Sequence, residues 1–498
     1  MTAAASATDP VRWLTSEQLG PHFDDGGPII LIENHEVFRR EPTHRLKAHL
    51  HLSALRHRAR ELGDRGELVV AGSYQAALEE RGLTGDALEV VGATSWEGLQ
   101  LAEKLEASIL PDRGFVTERE EFTRWADGKT STQLLMDRFY RTVRTRTGIL
   151  MEGSEPVGGQ FSYDHDNREK PPKNAVTLGL PEPWAPVEDD IDAAVRDTLD
   201  RLESEGVRFL GRDAPRAFPV TRDEALASLD EFVGARLGDF GPFEDASLTG
   251  DDTMAHSRLS VALNLGLLHP LEVVSRVVAE HDAGRAPLPS VEGIVRQLIG
   301  WRDWVWHLYW HLGPDYVERS NHLGATTSLP KEWWALDGEA VQARCLSHVL
   351  SAVGRTGYAH HIQRLMILGN HALQRGYDPA ELTAWFQGAF VDGTPWVMPA
   401  NVVGMSQFAD GGMVATKPYA SGGAYIDRMS DFCGGCRFDP KKRLGENACP
   451  FTAGYWAFLD RVEPRIRDNY RMAQPLAGLR RLADREQVVA QEKARTAY

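Results

Sequence analysis

The sequence predicts a doubly wound, parallel-sheet α/β domain followed by a larger all-α domain, and three observations carry that prediction. Strand-like apolar runs alternate with helical patterns over residues 1–150. A stretch rich in Gly, Pro, Asp and Asn follows, and residues 151–225 read as a connector. Residues 226–498 are helix-like throughout, with Pro and Gly punctuating helices of ordinary length and Trp dense from Trp301 to Trp456. At 498 residues the chain exceeds what one ordinary core supports, so several domains are expected.

The elements follow in order. Pro28 to Ile32 has the look of a short buried strand. His44 to Leu62 has helical spacing, with Leu46, Leu50, Leu55, Ala59 and Leu62 on one face. Glu67 to Val70 reads as a second strand, and Ser73 to Arg81 as a helix opened by a capping residue. Leu88 to Val91 is a third strand before a helix from Glu97 to Leu105. Strand and helix alternating at this spacing imply a parallel sheet with helices on both faces. Pro156-Val157-Gly158-Gly159, Pro171-Pro172 and Pro181-Glu182-Pro183 mark the connecting segment.

Hydrophobic (42%) and charged (25%) shares are those of a globular protein. Apolar runs such as Gly148 to Met151 are far too short to cross a bilayer. Met1 to Pro10 lacks the basic start and apolar stretch of a secretory signal, so a cytoplasmic protein is expected. The net charge of −16 opposes nucleic-acid binding overall. Binding needs only a local basic surface, however, and Arg437, Lys441, Lys442 and Arg443 form a run with one acidic residue, Asp439. A solvated loop accounts for the same run equally well.

Four cysteines are few for this length, and disulfides are not expected in a reducing compartment. Cys345 stands alone, whereas Cys433, Cys436 and Cys449 crowd together. Cys433-Gly434-Gly435-Cys436 can place two sulfurs on one metal centre, and Cys449 precedes Pro450, a pairing found in cluster-binding runs. Spacing alone admits zinc, an iron–sulfur cluster or unrelated buried thiols.

Two polar constellations lie in apolar frames. His256-Ser257-Arg258-Leu259-Ser260 opens a helix and offers hydroxyls and a cation suited to a diphosphate, with Asn264 on the same face as Ser260. A plain capped helix explains these residues too. In Tyr358 to Leu365, His361, Arg364 and Leu365 share one face, either as a satisfied core set or as a catalytic one.

Assembled in order, the chain resembles one family, the bacterial iron–sulfur photolyases and cryptochromes. The resemblance is carried by Phe139-Tyr140-Arg141, Pro156 to Phe161, Tyr163-Asp164 and Asn167-Arg168, then His256 to Ser260, Asn264-Leu265-Gly266, Glu292-Gly293, Arg296-Gln297 and Gly300-Trp301-Arg302. Its most specific part runs from Tyr358 to Phe451, through Gly404 to Gly412, Thr416 to Tyr419, Arg428 to Asp431 and the cysteine loop. It covers nearly the whole chain and is weakest before residue 120.

The resemblance implies the photolyase/cryptochrome fold, with FAD in the helical domain, a four-iron cluster, and a 6,7-dimethyl-8-ribityllumazine antenna in the N-terminal domain. It assigns the cluster ligands to Cys345, Cys433, Cys436 and Cys449. Flavin contacts fall on His256, Ser257, Arg258, Leu259, Ser260, Asn264, Gln297, Arg302, His361, Arg364, Leu365 and Asp392. His361 matches the proton donor of (6-4) photoproduct repair, with His360 beside it and Asp392 as an acid near the flavin ring. Lys441, Lys442 and Arg443 are the expected DNA contacts, and a monomer acting on ultraviolet-damaged DNA is implied. Trp385 and Tyr425 match members of the electron path to the flavin. Asp337 occupies a position that is Trp in many relatives, and Phe38-Arg39-Arg40 with Arg45-Leu46-Lys47 resemble only one branch at the antenna site. Two functions follow as alternatives: light-driven repair, or a blue-light photoreceptor with the same cofactors and no repair.

Overall fold

The computed structural model describes residues 9–131 and 133–498; the polar opening stretch Met1 to Thr8 lies outside the described residues. Five strands, β1 (Val11–Leu14), β2 (Ile29–Asn34), β3 (Gly66–Ala71), β4 (Leu88–Val91) and β5 (Ser108–Leu110), form one sheet in the order β3-β2-β1-β4-β5. Every pairing is parallel, with Trp13 opposite Ile30 on one side and Val90 on the other. Parallel neighbours need crossovers, and helices Arg45–Leu62, Tyr74–Glu79 and Trp96–Lys104 supply three of them. The winding reverses between β1 and β4, so a crevice opens beyond their carboxyl ends.

The predicted strands correspond to β2, β3 and β4, while β1 and β5 escaped the hydrophobic pattern. The central strand β1 carries Arg12, whose guanidinium reaches Glu89 (2.8 Å), Asp25 (2.8 Å) and the Phe23 carbonyl (2.8 Å). A buried cation in a central strand is tolerated because it is fully paired. Strand β5 has three residues, and Ile109 faces outward.

The predicted helix at Ser73 forms as expected, Ser73 Oγ accepting the Ala76 N–H (3.3 Å). The long helix Arg45–Leu62 lays Leu46, Leu50 and Leu55 into the main core. Its other side packs Ala48 and Leu52 against Val195 and Leu199 of helix Asp190–Ser204. That helix, opened by reciprocal capping between Asp189 and Asp192, is ordered structure within the segment read as a connector.

Beyond residue 221 the chain is helical. One core gathers Phe232, Trp304 and Trp306; a second gathers Trp333, Leu346, Trp385 and Phe451. Helices widen into π-helical turns at Arg296–Arg302, Arg364–Gly369 and Ala400–Ser406, a device that re-aims side chains at functional sites. Among the described residues no helix is long and apolar enough to cross a membrane.

The helical unit closes the crevice of the sheet. Asp303 accepts the Val116 N–H (2.8 Å), Arg302 donates to the Gly114 carbonyl (3.0 Å), and His44 Nε2 meets the Val353 carbonyl (3.0 Å). Lys47 donates to the carbonyls of Gln387 (2.8 Å) and Gly393 (2.7 Å).

Histidines at this junction make it acid-labile. Desolvation pushes His22, His51 and His307 down to about 3 and His44 to about 4, from an ordinary 6.5. Below pH 6.5 the unfolded chain therefore binds protons that the folded chain refuses, at ~1.4 kcal/mol per pH unit for each histidine. Desolvation raises Glu17 and Glu244 to about 7 and Asp303 to about 6, which works in the opposite sense. The histidines outnumber those carboxyls, since His256, His360, His361 and His371 are lowered as well. Thermal unfolding followed from pH 7.5 to 4.5 is expected to show a steep loss of stability below 6.5; a flat profile contradicts this account.

Candidate functional site

Asp392 is the hub of a polar cluster in the helical unit. Its carboxylate accepts two N–H groups of Arg364 (2.8 and 3.0 Å) and the Ser260 hydroxyl (2.7 Å), and its carbonyl accepts from Asn264 (3.1 Å). Arg364 is also fixed by the Ala359 carbonyl (2.6 Å) and lies over the rings of Phe390 (4.2 Å) and Tyr358 (5.1 Å). Ser260 and Asn264 come from one short helix, Arg364 from a π-helical turn, and Asp392 from the loop after Pro379–Ala389.

Beside this cluster, the His256 and His360 rings stack at 4.3 Å and 17°, and His360 meets the Ser247 hydroxyl (3.2 Å). Desolvation pushes His256 down to about 3 and His360 well below the ordinary value. His361 is exposed to solvent, next in the chain to the buried His360, and the protein around it, with Arg364 adding repulsion, holds its imidazole below the ordinary value.

The remaining expected flavin contacts divide. Arg302 lines the crevice with Glu17 and Asn264, and lies over Phe115 at 4.4 Å. Gln297 donates to Glu244 (3.0 Å). Arg258, at a positive φ of 55°, turns to the Ala217 carbonyl (2.9 Å) and lies over Phe218 (4.6 Å). Leu259 is buried in the core, Leu365 packs partly against it, and Ser257 Oγ accepts the Leu259 N–H (3.3 Å). The expected helix therefore begins at Ser260, after the turn at Arg258 rather than at His256. Buried polar atoms without partners collect here: His256 Nε2, Arg302 Nε, and both amide atoms of Gln363. Such groups fit a polar cofactor that supplies the missing partners. Lys47 and Glu17, from the sheet domain, face the same region; desolvation lowers Lys47 to about 8 and raises Glu17 to about 7. Neither carried a sequence signal for this site beyond Lys47's place beside the antenna residues.

The four cysteines line one apolar pocket with Ile426, Phe432 and Phe451. A Cβ on Gly423 would meet Cys449 Sγ at 2.8 Å, so only glycine lets that backbone approach. A tetrahedral zinc ion with Zn–S of ~2.3 Å draws its sulfurs to ~3.8 Å of one another. Among the described residues no three of these sulfurs lie within 4.8 Å of one another. Desolvation pushes the Cys345 and Cys449 thiols up and Cys433 to about 12.

The basic run is split. Lys441 and Lys442 are exposed, Lys442 only 3.9 Å from Asp439. Arg443 is latched to Asp484 (3.0 and 2.8 Å), a fold contact in place of the free phosphate contact expected.

Trp385 touches the rings of Trp333 (5.0 Å), Phe386 (5.0 Å) and Phe390 (5.8 Å), and Phe390 leads to Arg364. Trp333 thus supplies the neighbouring indole that spacing seemed to lose at Asp337. The turn Gly338–Ala340 lies between Trp333 and Cys345. Tyr425 is not brought to these rings; its hydroxyl donates to Asp245 (3.4 Å) and Arg428 lies over it.

A family model described as deoxyribodipyrimidine photo-lyase-related protein matches residues 14–215. A (6-4) photolyase of Agrobacterium fabrum is 40% identical over 459 residues, covering 89% of this chain and 88% of the relative. Among solved structures, a bacterial class III photolyase from Agrobacterium tumefaciens aligns with a TM-score of 0.55 at 16% identity, over 99% of this chain and 92% of that one. A Synechocystis cryptochrome aligns with a TM-score of 0.55 at 11% identity, over 97% and 98%. At those identities the two structures speak for the shared fold.

Proposed function

We propose, for a chain that belongs to the photolyase family, blue-light-driven repair of pyrimidine (6-4) photoproducts in DNA, with FAD in the helical unit. The observation that carries this reading is the Arg364–Asp392 pair, three residues along the chain from the exposed His361, in a chain aligned over most of its length with a (6-4) photolyase. A photoreceptor without repair draws no support from that relative.

Bound and reduced, the flavin supplies light absorption and the electron given to the lesion. The chain's own residues do the rest. Ser260, Asn264 and Arg364 fix Asp392, and the unpartnered atoms of His256, Arg302 and Gln363 await polar groups of the cofactor. Repair requires the damaged pair to flip from the duplex toward His361, a step that costs a few kcal/mol and least for a damaged base. His361, lowered to about 4, is neutral at working pH in the free protein. Its donor form arises when the anionic DNA backbone enters and favours the charged imidazole.

A four-iron cluster on Cys345, Cys433, Cys436 and Cys449 is supported by the meeting of all four thiols at one apolar pocket. A ribityllumazine antenna rests on the family resemblance alone, since the crevice between β1 and β4 is lined by Arg302 and Asn264, residues of the flavin reading. The residues expected for it are largely engaged elsewhere: Arg45 with Asp200, Glu203 and Asp213, and Arg39 with Glu36 and Glu205.

The test uses reduced, flavin-loaded protein, blue light, and an oligonucleotide carrying one (6-4) lesion or one cyclobutane dimer. Light-dependent recovery of intact thymine from the (6-4) lesion is expected, falling ~100-fold or more in His361→Ala, as befits loss of a general acid. Neutralising Lys441 and Lys442 should weaken binding and flatten its salt dependence by ~0.9 per lost phosphate contact. Arg443→Gln should leave that slope alone. No repair of either lesion with flavin bound overturns the proposal.

A further inference from the structure

We propose that a tyrosine pair, Tyr377 and Tyr498, is the outer end of the aromatic string at Trp385, passing electrons inward from a solvent-open cavity on the helical unit; this rests on the flavin reading above. The string cannot end at Trp333. Its ring is fully buried, so an oxidised Trp333 would be out of reach of any reductant. The Trp385 indole N–H donates to the Trp333 carbonyl (2.8 Å), which fixes the two rings at 5.0 Å. On its other sides Trp333 meets Tyr377 edge-on at 5.7 Å and 82°, and lies along His371 at 6.0 Å and 21°.

Tyr377 is itself buried, and its hydroxyl donates to the Tyr498 hydroxyl at 3.1 Å. Tyr498 is half-buried, leans on His371 at 4.4 Å and carries Arg375 over its ring at 5.8 Å. Tyr377 and Tyr498 both line a cavity of about 640 Å³, open to solvent, with Glu332, Arg375, Glu492 and Lys493 on its walls. Trp385, Trp333, Tyr377 and Tyr498 thus form one unbroken run of touching side chains from the Asp392 cluster to water. Trp334, next in the chain, turns away, its indole donating to Glu381 (3.2 Å).

The chemistry balances. An electron drawn from Trp385 toward the photoexcited, oxidised flavin leaves an indole radical cation. Trp333 refills Trp385, and the tyrosine pair refills Trp333. A phenol yields its electron only with its proton: Tyr377 gives Trp333 an electron as its O–H proton passes to Tyr498 Oη and the Tyr498 proton passes to water in the cavity. Tyr498 then returns a hydrogen atom to the Tyr377 oxygen across the same hydrogen bond. One electron has moved inward, one proton outward, and a neutral tyrosyl radical remains at Tyr498. A thiol in solution restores it by giving up a hydrogen atom from its S–H bond, and the resulting thiyl radicals couple to a disulfide.

Flash photolysis of flavin-loaded, oxidised protein tests this, with dithiothreitol as the thiol. In the wild type a tryptophanyl absorption should give way to a tyrosyl absorption that decays faster as dithiothreitol rises. In the Tyr377→Phe/Tyr498→Phe variant, which keeps every ring, the tyrosyl signal should vanish and stable flavin reduction should fall at least ~10-fold. Trp334→Phe should match the wild type, and Trp385→Phe should lose the tryptophanyl signal itself. A tyrosyl signal and yield unchanged in the double variant, with Trp385→Phe still inactive, overturns the tyrosine exit and leaves the flavin reading standing. A wild type that binds no flavin overturns both.

Discussion

Cys345→Ala is expected to strip the protein of its iron and to lower its melting temperature by ~10 °C or more, because a metal bound only by the folded state is folding free energy. Cys345 belongs to helix Arg344–Thr356, whereas Cys433, Cys436 and Cys449 belong to a loop that ends at helix Pro450–Ile466. A centre shared among them ties together elements far apart in the chain, closing a long loop. Without a cation the tie fails, since burial keeps the Cys345 and Cys433 thiols protonated among phenylalanines. Arg344, packed against Gly435, then faces a loop that has lost its anionic centre. Iron and acid-labile sulfide assays beside a thermal melt check this. An iron-free variant that melts with the wild type denies the centre a structural role, and zinc in the wild type denies the iron assignment.

How far the sequence led is clearest at the cysteines. Their identity and grouping were legible because thiolate chemistry is rare and clustered. That all four thiols meet at one pocket, Cys345 included, is a property of the packed fold alone. The same division runs through the sheet. Leu88–Val91 was read to the residue because its apolar run is bounded by turn signals. The central strand β1 was missed because Arg12 breaks the pattern, and its partners Asp25 and Glu89 are met only in three dimensions.

The candidate site shows both faces of this. His361, Arg364 and Asp392 were picked out by motif, and the structure joins Arg364 to Asp392 in one ion pair. Trp333 and Trp334, near Asp337, had no clear equivalence in the sequence, and only the fold shows that the Trp333 ring lands on Trp385. Arg443 belonged to a plausible phosphate-binding run, yet Asp484 from a later segment claims it.

Asp392→Asn is expected to cost ~3 kcal/mol or more of stability and to release the flavin, because breaking a buried ion pair strands the remaining charge. The stranded group would be Arg364, pinned by the Ala359 carbonyl and held over Phe390 and Tyr358, with only 16% of its side chain exposed. An asparagine keeps one acceptor, and Ser260 competes with Arg364 for it. Arg364→Gln should be milder, since the carboxylate it leaves still receives the Ser260 hydroxyl and faces the Lys47 ammonium nearby. The double variant should therefore recover much of the loss, giving a coupling of ~1–3 kcal/mol in a denaturant-unfolding cycle. Effects that simply add, within ~0.5 kcal/mol, mean that the two groups act independently. Asp392 would then be an ordinary loop residue, and Ser260 and Asn264 would have nothing to hold in register for a cofactor.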